Sequence, residues 1–445
     1  MTTGERTLKR PFSAYHRDRA MPVDPELQET GWGTPCGEYL RRFWQPVALS
    51  ENLGDRPLAL RIMGDDLVAF RDGSGQAALL EKHCCHRGTS LEFGKVEERG
   101  IRCCYHGWLF DRDGAILETP GEPPESRIKD KTYQGAYPTH EFAGIVFAYM
   151  GPPEEKPAFP EYDLWARRAI ADFQPYKIHN PCNWLQVREN EMDPVHITFL
   201  HTRHSGVQFT PCYGAVPTIE WRETLVGMMY VSVRRWGDYL YLRSNDMILP
   251  NIARVAGIED AEGETEFDRR SGATNWVVPI DDGNCWTLGW DEVDRHIPED
   301  GRDGYLDRMA RGGADMLNPN SAGQTAEPTY EMRQAKPGDW DAWTSQGTVT
   351  SHNREHLGMT DRGVTMYRRL VRDGVRTVAA GEAPRGLADA AGAAPLQTFA
   401  NNTVKRIPPA PTEAEDRLLR LEFGREITDR IMRGEIRYIP AQAAG

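Results

Sequence analysis

The sequence lacks the features that mark a membrane-spanning or nucleic-acid-binding protein. Its best apolar run, AGIVFAYM at 143–150, is far shorter than the roughly 18 residues that a spanning helix needs, and it predicts a buried strand instead. Basic residues are in deficit, with 53 Lys and Arg against 66 Asp and Glu and a net charge of −13. This balance disfavours nucleic acids and anionic membranes as partners. The amino terminus has no apolar signal segment, so we expect a cytoplasmic protein.

The length of 445 residues is too great for one ordinary core and predicts two or three domains. Hydrophobic residues at 39% and charged residues at 27% are typical of a soluble globular protein. Short strand-like runs extend to a proline-rich linker at 151–163, and longer strands and helices follow it. We expect an α+β protein, with an N-terminal segment at 1–40, an all-β domain at 41–155, a domain of antiparallel sheet and helices at 165–380, and a C-terminal extension with a helix at 381–445.

Apolar periodicity predicts the individual elements. Helices are expected at 36–43, at 183–200 with an interruption at Pro194, at 362–378 and at 413–433. Strands are expected at 58–63, 66–72, 77–84, 143–150, 218–226, 228–236, 239–249, 274–280 and 285–290. Two polar, glycine-rich stretches at 256–273 and 296–338 lack periodicity, and we interpret them as lid-like loops over a pocket larger than benzoate requires.

Cysteine is the most informative residue type in the chain. Four of its eight cysteines fall in two adjacent pairs, CCH at 84–86 and CCYH at 103–106, with 16 residues between the two motifs. In a large cytosolic chain such a cluster indicates metal or redox chemistry before disulfides. Ligands separated by one or two residues can both turn inward, whereas adjacent residues of an extended segment point in opposite directions. The predicted ligands are Cys84, His86, Cys103 and His106, with Cys85 and Cys104 flanking them.

Two Cys and two His suit either a structural zinc site or a [2Fe–2S] cluster of the Rieske type. The spacing C-x-H-x16-C-x2-H and the flanking CCHRGTSLEFG and CCYHGWLFDRDG resemble those of Rieske non-heme iron oxygenases. The resemblance implies a Rieske cluster on these four residues. One departure is that Cys85 and Cys104 stand where this family often has proline, which leaves the ligand register open.

A second motif lies beyond the linker, where Asp193, His196 and His201 form the pattern D-x2-H-x4-H. The two histidines are five residues apart, about 140° around a regular helix, so they share a face only if the helix bends or ends. Two His and one carboxylate form a facial triad that leaves positions open on ferrous iron for O2 and substrate. The pattern is similar to the mononuclear iron motif of the same oxygenases, and the two motifs occur in the family's order.

The resemblance also implies roles for carboxylates. Asp193 would not be a ligand but would link His196 to His106 of a neighbouring subunit, with a helix cap as the alternative. The third iron ligand would be Asp339, which lies seven residues before Gln346 in a segment similar to phthalate-dioxygenase-like members. The alternatives are Asp341, and then Asp361 or another acid.

The resemblance implies the terminal oxygenase of a multicomponent system, with a Rieske domain and a helix-grip catalytic domain arranged head to tail in a homotrimer or dimer of trimers. Mononuclear Fe(II) would use O2 to hydroxylate an aromatic compound, carboxylated rings included. The chain has no dinucleotide motif, so electrons from NAD(P)H would arrive through a flavin or iron–sulfur reductase, with or without a ferredoxin.

Three alternatives to this function remain open from the sequence: an oxidative O-demethylase, a non-catalytic Rieske electron carrier and a zinc-stabilised protein. The substrate is also open. Several arginines in the second half are candidates to pair with a substrate carboxylate, and the sequence does not choose between them: Arg203, Arg222, Arg234, Arg235 and Arg243.

Overall fold

The computed structural model describes residues 11–17, 19–163, 165, 170, 173–204, 206–257, 266–269, 272–292, 328–388 and 394–436. Most of the two predicted lid-like stretches, at 258–265, 270–271 and 293–327, lies outside the described residues, and so does the end of the C-terminal extension.

The first part of the chain folds into three small antiparallel sheets. Their strands are β1 Trp44–Leu49, β2 Leu58–Ile62, β3 Asp65–Arg71, β4 Ala77–Glu81, β5 Lys95–Glu97, β6 Gly100–Arg102, β7 Leu109–Phe110, β8 Ile116–Glu118, β9 Ala136–Tyr137, β10 Thr139–Phe142 and β11 Ile145–Tyr149. The sheet orders are β1-β11-β10, β2-β3-β4-β9 and β5-β6-β7-β8. The third sheet has strands of only two or three residues, and the second cysteine motif lies in its β6–β7 connection.

The second part is built on one large antiparallel sheet. Its strands are β12 Phe173–Asn180, β13 Thr218–Glu223, β14 Gly227–Trp236, β15 Tyr239–Ile248, β16 Ile252–Ala256, β17 Phe267–Arg269, β18 Gly272–Asp281, β19 Asn284–Glu292 and β20 Asn401–Arg406. The path through the sheet is β12-β19-β18-β16-β15-β14-β13, and β20 pairs with both β15 and β17. The strands reach ten residues, and consecutive residues of β14 and β15 are buried, so both faces of the sheet are covered there.

Helices pack around this sheet and carry the second motif. They are α1 Pro25–Gln28, α2 Pro35–Arg41, α3 Trp184–Asn190, α4 His196–Thr198, a π-helical turn Phe199–His204, α5 Tyr330–Ala335, α6 Asp339–Thr344, α7 Arg362–Ala379 and α8 Glu413–Met432. The N-terminal segment crosses the second domain, where Asp24 forms an ion pair with Arg372 of α7 at 2.7 Å. The side chains of Phe423 and Ile427 in α8 join the apolar cluster formed by β14 and β15.

Three elements of the structure differ from the prediction. The segment after residue 381 is more than an extension, because β20 adds a strand to the large antiparallel sheet. Its sequence NNTVKR begins with two asparagines, which disfavour strands, yet both are buried and hydrogen-bonded here. The unpredicted β12 contains Pro175, which an edge strand tolerates. Helix α5 lies within the stretch 296–338 that was predicted to be a loop.

One aromatic core joins the two parts of the chain. Phe147 of β11 packs against Trp276 and Trp290 of the large sheet, with ring centroids 5.3 and 5.8 Å apart. The Trp290 indole donates a hydrogen bond to the carbonyl of Ala143 at 2.7 Å. A buried apolar interface of this kind favours a fixed arrangement of the domains. Among the described residues, no helix is both long and apolar enough to cross a membrane.

Candidate metal centres and the pocket beside them

The two cysteine motifs form two loops with the same backbone pattern. In the first loop the amide of Cys84 bonds to the carbonyl of Thr89, and the amide of Gly88 bonds back to Cys84. In the second, the amide of Cys103 bonds to the carbonyl of Trp108, and the amide of Gly107 bonds back to Cys103. Both glycines have positive φ, +77° and +73°, a conformation that side chains disfavour. The loops therefore present their cysteine and histidine side chains in matching ways.

The four predicted cluster ligands lie together at the tips of these loops. Cys84 and Cys103 are each 3% exposed, and burial, with a smaller effect of Cys103, raises the pKa of the Cys84 thiol to about 12. The rings of His86 and His106 are 4.6 Å apart. Cys85 and Cys104 are exposed instead, so their side chains face away from the site. This difference favours the predicted register.

The histidine side of the site fits a metal. The His86 ring stacks on Trp108, with centroids 4.3 Å apart and planes 4° from parallel, and this contact fixes its orientation. Its Nδ1 is buried without a hydrogen-bond partner, which costs free energy unless the atom binds something. Two buried thiols, this orphaned imidazole nitrogen and the neighbouring His106 ring fit the two-Cys, two-His donor set of a Rieske cluster.

The two histidines of the second motif form a compact group with Asp339. Ligand atoms of His196, His201 and Asp339 lie within 4.8 Å of one another. His196 begins α4, and His201 lies in the π-helical turn that follows. A π-helix has more residues per turn than an α-helix, so it brings two histidines five residues apart to one side. The distortion that the spacing required is thus a π-helical turn.

Hydrogen bonds on the far side of each ring orient both histidines toward Asp339. Nδ1 of His196 contacts the carbonyl of Asp193, and Nδ1 of His201 lies 2.7 Å from Oε1 of Gln208. These acceptors fix the tautomer with the proton on Nδ1. Both Nε2 atoms then carry lone pairs, yet they lie 3.4 and 3.1 Å from the Asp339 carboxylate oxygens. Three lone-pair donors at this separation fit a bound cation between them.

The alternative carboxylates are engaged elsewhere. Asp341 accepts a hydrogen bond from Arg333 at 2.7 Å and another from the amide of Gly338 at 3.2 Å, so it caps helix α6. Asp361 accepts from the amide of Gly358. Asp339 is 7% exposed and its Oδ1 also accepts from the Asn190 side chain at 3.1 Å. The geometry favours Asp339 over both alternatives.

Asp193 contacts His196 mainly through its backbone carbonyl. Its carboxylate Oδ1 accepts from the amide of Val195 at 2.9 Å, while Oδ2 lies 3.8 Å from Nδ1 of His196. The carboxylate therefore caps the turn before α4 and remains partly exposed. Both interpretations of this residue, cap and bridge, are compatible with the geometry, because only one of its oxygens is used by the cap.

Comparison with known proteins supports the same assignment. Residues 43–138 match the family model of the Rieske [2Fe-2S] domain. The chain is 40% identical over 423 residues to the tert-butanol monooxygenase / tert-amyl alcohol desaturase oxygenase subunit of Aquincola tertiaricarbonis, covering 91% of this chain and 88% of that protein. The chain belongs to the Rieske non-heme iron oxygenases. It is therefore an oxidoreductase with a Rieske [2Fe–2S] cluster, a mononuclear iron and O2 as co-substrate, and not an electron carrier or a zinc protein.

Two further similarities agree with this family. The chain is 38% identical over 391 residues to the phenoxybenzoate dioxygenase subunit alpha of Ectopseudomonas oleovorans, covering 84% of this chain and 90% of that protein. The crystal structure of dicamba monooxygenase bound to 3,6-dichlorosalicylic acid matches the fold with a TM-score of 0.55 at 17% identity, covering 77% of this chain and 99% of that one. The chain is thus a terminal oxygenase subunit, with the α+β fold predicted from its sequence.

A pocket opens beside His196, His201 and Asp339. Its apolar side includes Ile178, Val187 and Phe209, and its polar side includes Glu191, Arg243 and Asn245. Burial raises the pKa of Glu191, which disfavours its charged form. Of the five arginines that the sequence left as candidates, Arg243 alone is among the side chains that line this pocket in the described part of the chain.

Gln208 is a site residue that sequence reasoning missed, since no motif contains it. Its Oε1 meets His201, and its Nε2 donates to the carbonyl of Pro337 at 3.3 Å, two residues before Asp339. Gln208 therefore connects the segments that carry His201 and Asp339.

Replacement of Gln208 by Leu (Q208L) is expected to weaken iron binding at this site roughly 10- to 100-fold. Iron titration into the metal-free protein measures this, with the cluster absorbance as the internal reference.

The matched control for Q208L is Q346L, because the Gln346 side chain accepts a hydrogen bond from Thr350 at 3.1 Å and contacts none of His196, His201 and Asp339 in the part of the chain that the structure describes. Equal iron affinity in Q208L and Q346L would contradict a positioning role for Gln208.

Proposed function

We propose that this oxygenase hydroxylates an aromatic compound at an iron held by His196, His201 and Asp339. The observation that carries this proposal is the convergence of two imidazole Nε2 atoms and one carboxylate beside a pocket with an apolar side. Three protein ligands on one face of the metal leave positions for O2 and for substrate access. Bound there, ferrous iron supplies the activation of O2.

We propose Cys84, His86, Cys103 and His106 as the ligands of the Rieske cluster. Tyr105, which precedes His106 in the second cysteine motif, is 57% exposed, so this loop tip lies at the protein surface. An exposed loop tip supports electron transfer to another protein. By analogy with the family, the acceptor is the iron of a neighbouring subunit, reached through Asp193. Head-to-tail contacts of this kind close into a ring, so we propose a homotrimer.

The electron source is proposed to be an NAD(P)H-dependent reductase, with or without a ferredoxin, in the cytoplasm.

An aromatic substrate is supported by the phenoxybenzoate relative, whose name gives an aromatic carboxylate, and by the aromatic and aliphatic side chains of the pocket. The tert-butanol relative is named for an alcohol instead.

The deciding experiment is turnover with a reconstituted reductase under ¹⁸O2, using aromatic acids and their methoxylated analogues. We expect ¹⁸O in a hydroxylated ring or side chain, at rates that depend on NADH and O2. Release of formaldehyde from methoxylated rings, with no ring hydroxylation, would replace the proposal with O-demethylation. No ¹⁸O in any product while the reductase reduces the cluster would overturn it.

The metal content of the purified protein is a separate prediction. Anaerobically isolated chain is expected to contain about three irons and about two acid-labile sulfides, because a Rieske cluster takes two irons and the triad takes one. Iron and sulfide assays on the same sample measure both numbers. Two irons per chain with full sulfide would contradict a functional triad.

A further inference from the structure

Gln134 is a buried polar residue of the first domain that belongs to neither cysteine motif. It lies just before β9 and is 2% exposed. Its Nε2 donates to the carbonyls of Glu81 and His83 at 2.9 and 3.0 Å, and its Oε1 accepts from the amide of Cys85 at 2.7 Å. One side chain therefore bonds to three alternate backbone positions of the segment that enters the first cysteine loop.

The main chain on both sides of Gln134 is held in place. The amide of Gln134 donates to the carbonyl of Gly114 at 2.8 Å, and the carbonyl of Gly135 accepts from the amide of Glu81 at 2.8 Å. Strand β9 follows at once and pairs with β4, whose last residue is Glu81. The Gln134 side chain thus extends from a fixed backbone toward the loop.

The amide of Cys85 lies in the peptide that follows the first predicted cluster ligand. The loop is closed by the bond from the Gly88 amide to the Cys84 carbonyl at 2.8 Å. The next amide along the chain, that of His86, acts as a hydrogen-bond donor to the Cys84 sulfur. Because peptides are planar and the loop is closed, holding the Cys85 amide also restrains the direction of the His86 amide. Hydrogen bonds to the sulfurs of an iron–sulfur cluster are among the factors that set its reduction potential.

The two cysteine loops share their closing backbone bonds but differ in the contact with Gln134. Within the described ranges, the amide of Cys104, which is the counterpart of Cys85, makes no hydrogen bond. Gln134 therefore acts on the first loop alone, and its effect on a bound cluster is expected to pass through Cys84 and His86.

A proline in place of Cys85 would make the contact with Gln134 unnecessary. Proline has no amide N–H and a φ fixed at about −65°, so it stiffens a turn without any acceptor nearby. Cysteine has a free φ and an N–H, and that N–H costs free energy if it is buried without a partner. In this chain Gln134 accepts from the N–H of Cys85 and restrains the same peptide.

We propose that Gln134 is a positioning residue of the Rieske cluster, which holds the Cys85 peptide so that Cys84 and His86 keep the orientation in which they bind the cluster. This inference rests on the proposed ligand set, and it adds a residue from outside both motifs. The contact raises the reduction potential of the cluster through the N–H donor to the Cys84 sulfur, and it slows the loss of the cluster.

The test compares four forms of the full-length, metal-loaded protein: wild type, Q134L, C85P and the double variant. In Q134L the cluster absorbance is expected to decay at least about tenfold faster in the presence of a chelator, because a buried N–H has lost its acceptor. The ratio of reduced to oxidised cluster at the wild-type midpoint potential should fall about threefold, which is about 30 mV at 59 mV per tenfold change. C85P alone should change each quantity less than about twofold.

Rescue by C85P separates a positioning role from a purely structural one. Once the N–H of residue 85 is gone, its peptide no longer needs Gln134, so the double variant should recover the wild-type midpoint potential and the electron paramagnetic resonance spectrum of the reduced cluster. Its urea midpoint of unfolding should stay as low as that of Q134L, because the carbonyls of Glu81 and His83 still lack their donor. Q134L combined with C85A, which removes the same thiol but keeps the N–H, should recover neither.

Q45L is the matched control for a buried glutamine elsewhere. Gln45 is fully buried, donates to the carbonyl of Leu40 at 3.0 Å and accepts from Asn251 at 2.8 Å. Q45L should therefore lower the urea midpoint and leave the midpoint potential of the cluster unchanged. This comparison decides the question if C85P fails to assemble a cluster.

An unchanged midpoint potential in Q134L would overturn the inference, as would an equal shift in Q45L or a double variant whose cluster is no better than that of Q134L. A C84S chain that keeps its acid-labile sulfide and cluster absorbance would instead overturn the proposed ligand set.

Discussion

Asp339→Asn is expected to give a protein that keeps its Rieske cluster, loses its mononuclear iron and turns over at least about a thousandfold more slowly. Asn has nearly the same shape but no negative charge, and neutral amide oxygen is a far weaker ligand for Fe(II) than carboxylate. Because Asp339 faces two Nε2 lone pairs at 3.4 and 3.1 Å, removing its charge removes the anionic part of the site. Iron should fall from about three to about two per chain, with sulfide unchanged.

Asp341→Asn is the matched control, because it makes the same chemical change two residues away in the same helix. Asp341 pairs with Arg333 and caps α6. Asn keeps an oxygen that can accept from the Gly338 amide, so D341N should keep its iron and most of its turnover while losing at most about 1 kcal/mol of stability from the weakened pair with Arg333. Loss of iron in D341N with retention in D339N would mean that the third ligand has been misassigned. The pair thus separates the predicted ligand from the alternative in one metal assay.

The sequence predicted site residues well where metal-ligand chemistry restricts the residue type. It predicted them poorly where the packing of the chain decides which side chains reach the site. Cysteine and histidine at fixed spacing have few other uses, so Cys84, His86, Cys103 and His106 stood out, as did the pair His196 and His201. What the spacing did not contain was the local geometry. Five residues between two histidines demanded a distorted helix, and only the structure gives its form as a π-helical turn.

Residues that contact the site but lie outside its motifs could not be predicted from the sequence. Gln208 reaches His201 from a loop seven residues on, and Arg243 reaches the pocket from the middle of a strand. Glutamine and arginine are common surface residues, so neither carried a signal until burial and contacts were known. The same holds for β20, whose polar sequence gave no sign that it pairs with β15 in the sheet.

Asp193→Asn is expected to keep all the metal and yet lose most of the activity, roughly 100-fold or more. Asn retains an Oδ1 that accepts from the Val195 amide, as Asp193 does at 2.9 Å, so the turn before α4 should survive. The Asn side chain lacks the second carboxylate oxygen, Oδ2. In Asp193 this oxygen is not used by the bond to the Val195 amide and is available to accept from an imidazole N–H. Stopped-flow mixing of the reduced, substrate-bound protein with O2 should show slow reoxidation of the cluster, although the reductase reduces it at the normal rate.

Complementation decides whether the electron crosses a subunit boundary. A Cys84→Ser chain has no cluster but an intact Asp193, and a D193N chain has the reverse, so each is expected to be inactive alone. In randomly mixed trimers, about a quarter of the contacts join a D193N cluster to a C84S iron, and about a quarter of wild-type activity should return. If transfer occurred within one chain, no mixture would regain activity, because every chain would still lack either its cluster or its bridge.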